Sequence, residues 1–166
     1  MKKTLPLLLL LLTGCAATAP KYNYQPQVNT DPSYVFGDRF GGGSVKSPAR
    51  SFAVNTKDAQ ANKCADFAVV GTTSNHWMKV FPKTIEIKTP TGKAVAIRSH
   101  YNYSNGFINT TCTPDVITFM PKDAATYSVD VETVDKKCTL SIVQKLPNGQ
   151  TEKVDGVTVV PGCVNN

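Results

Sequence analysis

From residue 51 onward, the chain is built of short segments in which apolar and polar residues alternate. In the segment YSVDVETV, for example, Tyr127, Val129 and Val131 lie on one side of an extended chain. Asn148 and Gly149 separate two later segments and form a strong signal for a hairpin turn. No stretch of this part shows a convincing helical period of apolar residues. This pattern predicts an all-β domain.

The number and spacing of these segments indicate a β-sandwich. About eight segments are separated by turns, which favours an immunoglobulin-like or transthyretin-like sandwich of about 7–8 strands over a closed barrel. The domain is expected to span residues 51–166, a length that suits one hydrophobic core. In YSVDVETV the opposite side carries Ser128, Asp130 and Glu132, and we expect it to face solvent.

Residues 1–14 have the composition of a secretory signal peptide. Lys2 and Lys3 precede an apolar run from Leu5 to Leu12, which is much shorter than the roughly 20 residues of a membrane-spanning helix. A basic start, a short apolar middle and small residues at the end are typical of an export signal. We therefore expect these residues to be removed from the mature protein.

The end of this leader carries a more specific motif. Leu12, Thr13, Gly14 and Cys15 resemble the lipobox of bacterial lipoproteins. The resemblance implies a diacylglyceryl group on the Cys15 thiol, cleavage between Gly14 and Cys15, and acylation of the new amino terminus, for example with palmitate. Ala16 resembles the residue that directs such proteins to the outer membrane. The alternative is a leader removed by the general signal peptidase, with Cys15 incidental.

Three further motifs lie within the β-rich part. They are Phe119-Met120-Pro121, Tyr127-Ser128-Val129 and Cys138-Thr139-Leu140. Their order and spacing resemble a pattern of small, mostly uncharacterised proteobacterial lipoproteins, over roughly residues 84–145. The matching residues belong to strands and turns, so the resemblance implies a β-sandwich lipoprotein and no particular activity.

Residues 15–50 are expected to form the lipidated N-terminus and a flexible tether. Proline and glycine recur throughout this stretch and interrupt every candidate strand or helix. Its aromatic content is high for a linker, however, since linkers are usually poor in such residues. We therefore expect part of the segment SYVFGDRF to dock, either on its own domain or on a partner. The aromatic residues are Tyr22, Tyr24, Tyr34, Phe36 and Phe40.

Once Cys15 is assigned to lipid, four cysteines remain in a chain bound for an oxidising compartment. They are Cys64, Cys112, Cys138 and Cys163, and three pairings are possible. The nested pairing, Cys112–Cys138 inside Cys64–Cys163, is the one we expect, with the inner bond joining neighbouring strands. A zinc site is disfavoured because closely spaced cysteine pairs are absent.

The sequence contains no recognisable catalytic or cofactor motif, and we assign no catalytic residue, metal site or cofactor. A G-x-S-x-G elbow is absent. His76, Met78 and His100 are residue types that bind copper, but an ordinary strand explains their spacing equally well. The basic residues are scattered, which argues against a nucleic-acid partner.

The segment SHYNYSNGFINTT is the most suggestive candidate binding surface. Tyr101, Tyr103 and Phe107 alternate with asparagines such as Asn105, a composition that suits stacking on sugars or adaptable protein contacts. The alternative is a plain hairpin, because Asn105-Gly106 is a type I′ turn signature.

Taken together, these features predict a lipid-anchored protein of the outer membrane that faces the periplasm. A non-enzymatic binding or structural role in the cell envelope is expected, with an envelope protein or a cell-wall glycan as partner. The alternatives are a binding lipoprotein of the secretion-system or lysozyme-inhibitor type, and a periplasmic copper carrier.

Overall fold

The computed structural model describes residues 19–38, 48–57, 66–74, 81–104, 109–134 and 137–162. These residues form eleven β-strands in two sheets, so the predicted β-sandwich is confirmed. The count exceeds the expected 7–8 because several strands have only three or four residues. Within the described ranges, no helix has the length and apolar character needed to cross a membrane.

The strands, numbered in chain order, are β1 (Ser33–Phe36), β2 (Ala49–Asn55), β3 (Ala68–Ser74), β4 (Ile85–Lys88), β5 (Val95–Ser104), β6 (Asn109–Cys112), β7 (Val116–Phe119), β8 (Thr126–Val134), β9 (Lys137–Lys145), β10 (Thr151–Lys153) and β11 (Thr158–Val160). One sheet has the order β10-β9-β8-β1-β4. The other has the order β11-β7-β5-β2-β3, with β6 paired to β5. We call them the five-stranded and the six-stranded sheet. Strand β1 runs parallel to β8, whereas the other described strand pairs are antiparallel.

The core lies between the two sheets, and aromatic side chains form its centre. Tyr34 and Phe36 of β1 are fully buried, and Phe52 of β2 is 1% exposed. The ring centre of Tyr34 lies 5.4 Å from that of Tyr127, and the ring centre of Phe36 lies 4.9 Å from that of Phe52. Such pairs add specific ring contacts to the burial of a large apolar area.

The expected boundary between a tether and a domain at residue 50 is wrong, because the sandwich already includes residues from Pro20 onward. The Val69 N–H donates to the Pro20 carbonyl at 2.7 Å, and the Tyr22 N–H donates to the Val69 carbonyl at 2.8 Å. Strand β1 then lies between β4 and β8. Docking of SYVFGDRF on its own domain is thus confirmed for Ser33–Phe36. Burial of two large aromatic side chains outweighs the interruption by nearby prolines.

Strand β8 confirms its predicted core-facing side, but of the three residues expected to face solvent only Glu132 is exposed. Tyr127, Val129 and Val131 are buried, as the alternation predicts. Ser128 and Asp130 were expected to face solvent, but they are only 2% and 3% exposed.

Asp130 is buried because Arg50 of the other sheet reaches it. Strand β1 ends at Phe36, opposite Val129, so Asp130 is the first residue of β8 that has no β1 neighbour. Arg50 Nε lies 3.2 Å from Asp130 Oδ1, and the Arg50 guanidinium lies 5.9 Å from the centre of the Tyr101 ring. Burial lowers the pKa of Arg50, and the negative charge of Asp130 opposes that shift. The ion pair therefore neutralises two charges that would be costly to bury alone.

The predicted disulfide bond between Cys112 and Cys138 is confirmed. It joins β6 to β9 and hence ties the two sheets together, rather than neighbouring strands of one sheet. The bond closes a loop with a sequence separation of 26 residues. By loop entropy, such a constraint destabilises the unfolded chain by about 3.5 kcal/mol.

Cys64 and Cys163 lie outside the described residues, so their pairing stays a prediction. Phe67 and Val160, however, belong to the same small apolar cluster. Each of these cysteines is three residues from one of those cluster members, which corresponds to a reach of at most about 11 Å. The described residues Phe67 and Val160, close in sequence to the two cysteines, thus lie in one part of the fold.

We expect peptide mapping without reductant to recover the Cys64 and Cys163 peptides as one linked species that separates on reduction. The Cys112–Cys138 peptides serve as the internal control. A free thiol at Cys64 or Cys163 in the exported, oxidised protein would contradict the prediction.

Gly71 allows the edges of the two sheets to approach each other. It lies in β3 with φ +149°, next to an irregularity in the pairing of β2 with β3. A Cβ atom at this position would lie 2.6 Å from Cδ1 of Ile85 in β4. That distance is far below a normal carbon–carbon contact, so any side chain would displace Ile85 or the strand itself.

Substitution Gly71→Ala is therefore expected to lower the free energy of unfolding by about 2 kcal/mol, through backbone strain at φ +149° together with displacement of the Ile85 methyl group. Gly156→Ala is the matched control, because Gly156 also has positive φ, at +67°, but nothing lies within 4 Å of an added Cβ. Its cost should be limited to backbone strain of about 1 kcal/mol. Equal losses for both variants in urea unfolding would show that the contact with Ile85 is unimportant.

Candidate functional site

A cavity of about 560 Å³ lies between the N-terminal segment 22–26 and the strands β1 and β4. Cavities of roughly 300–1,000 Å³ are typical of small-ligand sites. We call this cavity the β1–β4 groove. Its lining residues are Tyr22, Asn23, Tyr24, Pro26, Ser33, Tyr34, Val35, Glu86, Ile87, Lys88 and Thr126.

Side chains from the outward face of the five-stranded sheet form the floor of the groove. Ser33 and Val35 lie on the opposite face of β1 from the two aromatic residues of the core. Thr126 and Lys88 both pair with Ser33, and Glu86 pairs with Val35, so all five share this face. The floor is therefore mostly polar, with one central apolar side chain.

Two tyrosines form one wall of the groove, and hydrogen bonds fix both hydroxyl groups. Tyr22 Oη donates to the backbone carbonyl of Lys88 at 2.9 Å. Tyr24 Oη donates to Asp31 Oδ2 at 2.9 Å. Burial raises the pKa of Tyr22, so its hydroxyl remains protonated and able to donate at physiological pH. Because both ends of each side chain are held, the two rings lose little further freedom when a ligand binds.

Asp31 organises the loop that carries this wall. The residue is 2% exposed. Its carboxylate accepts hydrogen bonds from Tyr24 Oη and from the N–H groups of Gln27, Val28 and Thr91. Burial alone would raise the pKa of this carboxyl group. The hydrogen bonds to its ionised form outweigh burial and lower the pKa of Asp31 below its ordinary value. The Thr91 contact ties the loop to the turn after β4.

The β4 side of this floor carries one acidic and one basic side chain, Glu86 and Lys88. Neither side chain forms a hydrogen bond or ion pair with the described residues, and Glu86 is exposed. The carboxylate of Asp31, on the loop that carries the tyrosine wall, already accepts four hydrogen bonds. The groove is therefore close to electrically neutral, while it offers both donor and acceptor groups.

In its described part, the candidate binding hairpin turns its two tyrosines toward the core. Strands β5 and β6 do pair as a hairpin, from Tyr101↔Cys112 to Ser104↔Asn109. Tyr101 is 9% exposed and belongs to the core, and Tyr103 packs against that core. Both rings continue the core-facing side of β5, and Tyr103 stays partly exposed. Asn105 and Phe107 lie outside the described residues.

Of the candidate copper ligands, His76 and Met78 lie outside the described residues. Nδ1 of the third, His100, lies 3.1 Å from Oγ1 of Thr113. No group of three His, Cys, Asp or Glu residues within the described ranges is arranged to hold a metal ion. Gly14 and Cys15, the predicted cleavage and lipidation sites, also lie outside these ranges.

Sequence reasoning missed the groove, although one signal was present. The unusual aromatic content of residues 15–50 includes both wall tyrosines, Tyr22 and Tyr24. Assigning that stretch to a tether hid their role. The floor residue Thr126 is about one hundred positions away, and only the pairing of β1 with β8 brings it to the groove.

The lowered pKa of Asp31 predicts how the stability of the fold depends on pH. Because folding lowers its pKa, its contribution to stability is complete well above the unfolded value of 3.8 and is lost as pH falls below about 4. We expect Asp31→Asn to lower the free energy of unfolding at pH 7, and the difference from wild type to shrink between about pH 5 and pH 3. Urea unfolding at each pH measures this difference.

The control for this experiment is Asp115→Asn, which changes an exposed carboxylate on the loop before β7. It should leave stability nearly unchanged at both ends of the pH range. A constant difference between wild type and Asp31→Asn at every pH would contradict the assigned role of the ionised carboxylate.

Comparison with known proteins identifies no relative of this chain. No protein-family model matches the chain, and no curated protein shows significant sequence similarity to it. The evidence for function therefore lies in the chain itself and in the β1–β4 groove.

Proposed function

We propose that this protein is a bacterial lipoprotein, anchored through Cys15 in the outer membrane and facing the periplasm. In this role it is a non-enzymatic binding or structural accessory of the cell envelope. The observation that carries the proposal is the motif Leu12-Thr13-Gly14-Cys15 at the end of a short apolar leader.

The disulfide bond supports an exported location. Cys112 and Cys138 join the two sheets through a covalent bond that cytosolic reductants would keep open. Export to an oxidising compartment provides the conditions in which this bond forms and persists.

The attachment of the N-terminal segment supports a position close to the membrane. Pro20 is fixed to β3 through Val69, and it follows Cys15 by five residues. Even a fully extended chain of this length spans at most about 18 Å. A lipid on Cys15 would therefore hold the edge of the six-stranded sheet near the lipid headgroups, instead of leaving the sandwich on a long tether.

The described carboxylates that are most buried support a non-enzymatic role. Asp31 holds a loop through four hydrogen bonds, and Asp130 forms an ion pair with Arg50. Both groups thus have a structural function, and neither lines the β1–β4 groove. The groove offers binding groups without a nucleophile paired to a general base.

Substitution Cys15→Ala tests the anchor. Wild-type protein is expected to fractionate with the outer membrane and to begin at a Cys15 that carries two or three acyl chains. The variant should lose all acyl mass, because the thiol is the acceptor, and should keep its leader uncleaved. Intact mass and N-terminal peptide analysis measure both effects.

Ala16→Asp is the matched control, because it preserves the cysteine but alters the residue that resembles the sorting signal. It should remain acylated and move to the inner membrane fraction. An unmodified Cys15, or a mature N-terminus at another residue, in the wild-type protein would refute the proposal.

A further inference from the structure

We propose that the β1–β4 groove binds a short saccharide segment. The inference deepens the proposed function, since an envelope location brings the groove into contact with sugars. Two sources share this chemistry: the glycan strands of the cell wall and the sugar headgroups of membrane lipids. The geometry of the groove defines the ligand class, and the experiment distinguishes the sources.

The aromatic wall supplies the first requirement of a sugar site. Apolar C–H faces of a sugar ring pack against aromatic rings, and Tyr22 and Tyr24 both line the groove. Hydrogen bonds to the Lys88 carbonyl and to Asp31 fix these rings before a ligand arrives. Pro26 extends the same wall with a rigid apolar ring.

The floor and the segment 22–26 supply the polar groups. Ser33 and Thr126 offer hydroxyl groups that donate and accept, and Asn23 offers an amide. Glu86 accepts and Lys88 donates, so hydroxyl groups on a ligand find both kinds of partner. The opposite charges cancel, which favours a polyhydroxylated ligand of low charge over a strongly anionic or cationic one.

The edge of the sheet argues against an added peptide strand. The Thr89 N–H donates to the Pro32 carbonyl at 3.1 Å, which places Ile85 and Ile87 in the positions of β4 that bond to β1. The N–H and carbonyl groups of Glu86 and Lys88 therefore point to the open edge. Tyr22 Oη already donates a hydrogen bond to the Lys88 carbonyl at this edge. A peptide that paired with β4 would have to displace this tyrosine.

The position of the groove fits both sources of sugar. Tyr22, part of its wall, is also one of the two residues that bond the N-terminal segment to Val69. The groove thus lies next to the point where the chain leaves the sandwich toward Cys15. This places it within reach of lipid-linked sugars and of glycan that approaches the membrane.

The test measures binding by isothermal titration and by shifts of amide resonances, with the mature lipidated protein in detergent micelles. The probes are a tetramer of N-acetylglucosamine for wall glycan and a short-chain glycolipid with an uncharged disaccharide headgroup for lipid-linked sugar. We expect at least one probe to bind in the micromolar to millimolar range, with resonance shifts concentrated at residues 22–26, 33–35 and 86–88. Binding of the first probe assigns the wall as source, and binding of the second assigns the lipid.

Two variants test whether the groove is the site. Tyr24→Ala removes one stacking ring and should weaken binding about tenfold. Val35→Phe fills the floor without altering Tyr24 or Asp31, so it should weaken binding by at least as much even where the first variant perturbs the loop. Phe81→Ala is the matched control, since Phe81 is 41% exposed and does not line the groove.

The proposal is overturned if neither probe binds, or if both groove variants bind as tightly as wild type. Its failure is distinguishable from failure of the anchor, because the acyl mass on Cys15 is measured on the same preparation. A protein without lipid that still binds sugar in the groove would retain this inference and refute only the membrane anchor.

Discussion

The insertion of β1 between β4 and β8 is the contact on which the rest of the molecule depends. Tyr34 and Phe36 fill the centre of the core from this short strand, and they contact aromatic rings of both sheets. The same insertion turns Ser33 and Val35 outward and so creates the floor of the β1–β4 groove. One four-residue strand therefore couples the stability of the sandwich to the shape of its candidate site.

Two buried carboxylates complete the structure around this strand. Asp31 precedes β1 and holds the wall of the groove, and Asp130 lies just beyond the end of β1 and meets Arg50. Asp31 accepts hydrogen bonds within the loop before the strand, and Asp130 neutralises Arg50 beyond its end. Buried polar groups of this kind contribute to specificity because partly satisfied alternatives are costly.

Local patterns in the sequence predicted those parts of the fold that depend on neighbouring residues. Alternation identified the core-facing side of β8, and export chemistry pointed to Cys112–Cys138 as one possible pair. Alternation could not identify β1, because four residues between prolines and glycines carry too little periodic signal.

The candidate site was less accessible to sequence reasoning, because its groups come from distant parts of the chain. Thr126 reaches the groove only through the pairing of β1 with β8, more than ninety residues after Ser33. The burial of Asp130 likewise depends on Arg50, eighty residues earlier, so the alternating pattern of β8 alone indicated a solvated face. In both cases tertiary contacts, rather than local preference, decided the environment of the side chain.

The late arrival of the neighbours of β1 has a consequence for the order of folding. Ser33 pairs with Lys88 and with Thr126, so this strand cannot take its final place until most of the chain has been synthesised. Contacts between residues so distant in sequence form slowly. The first strand therefore waits for the C-terminal half of the chain, and closure of the core is a late step that the topology itself imposes.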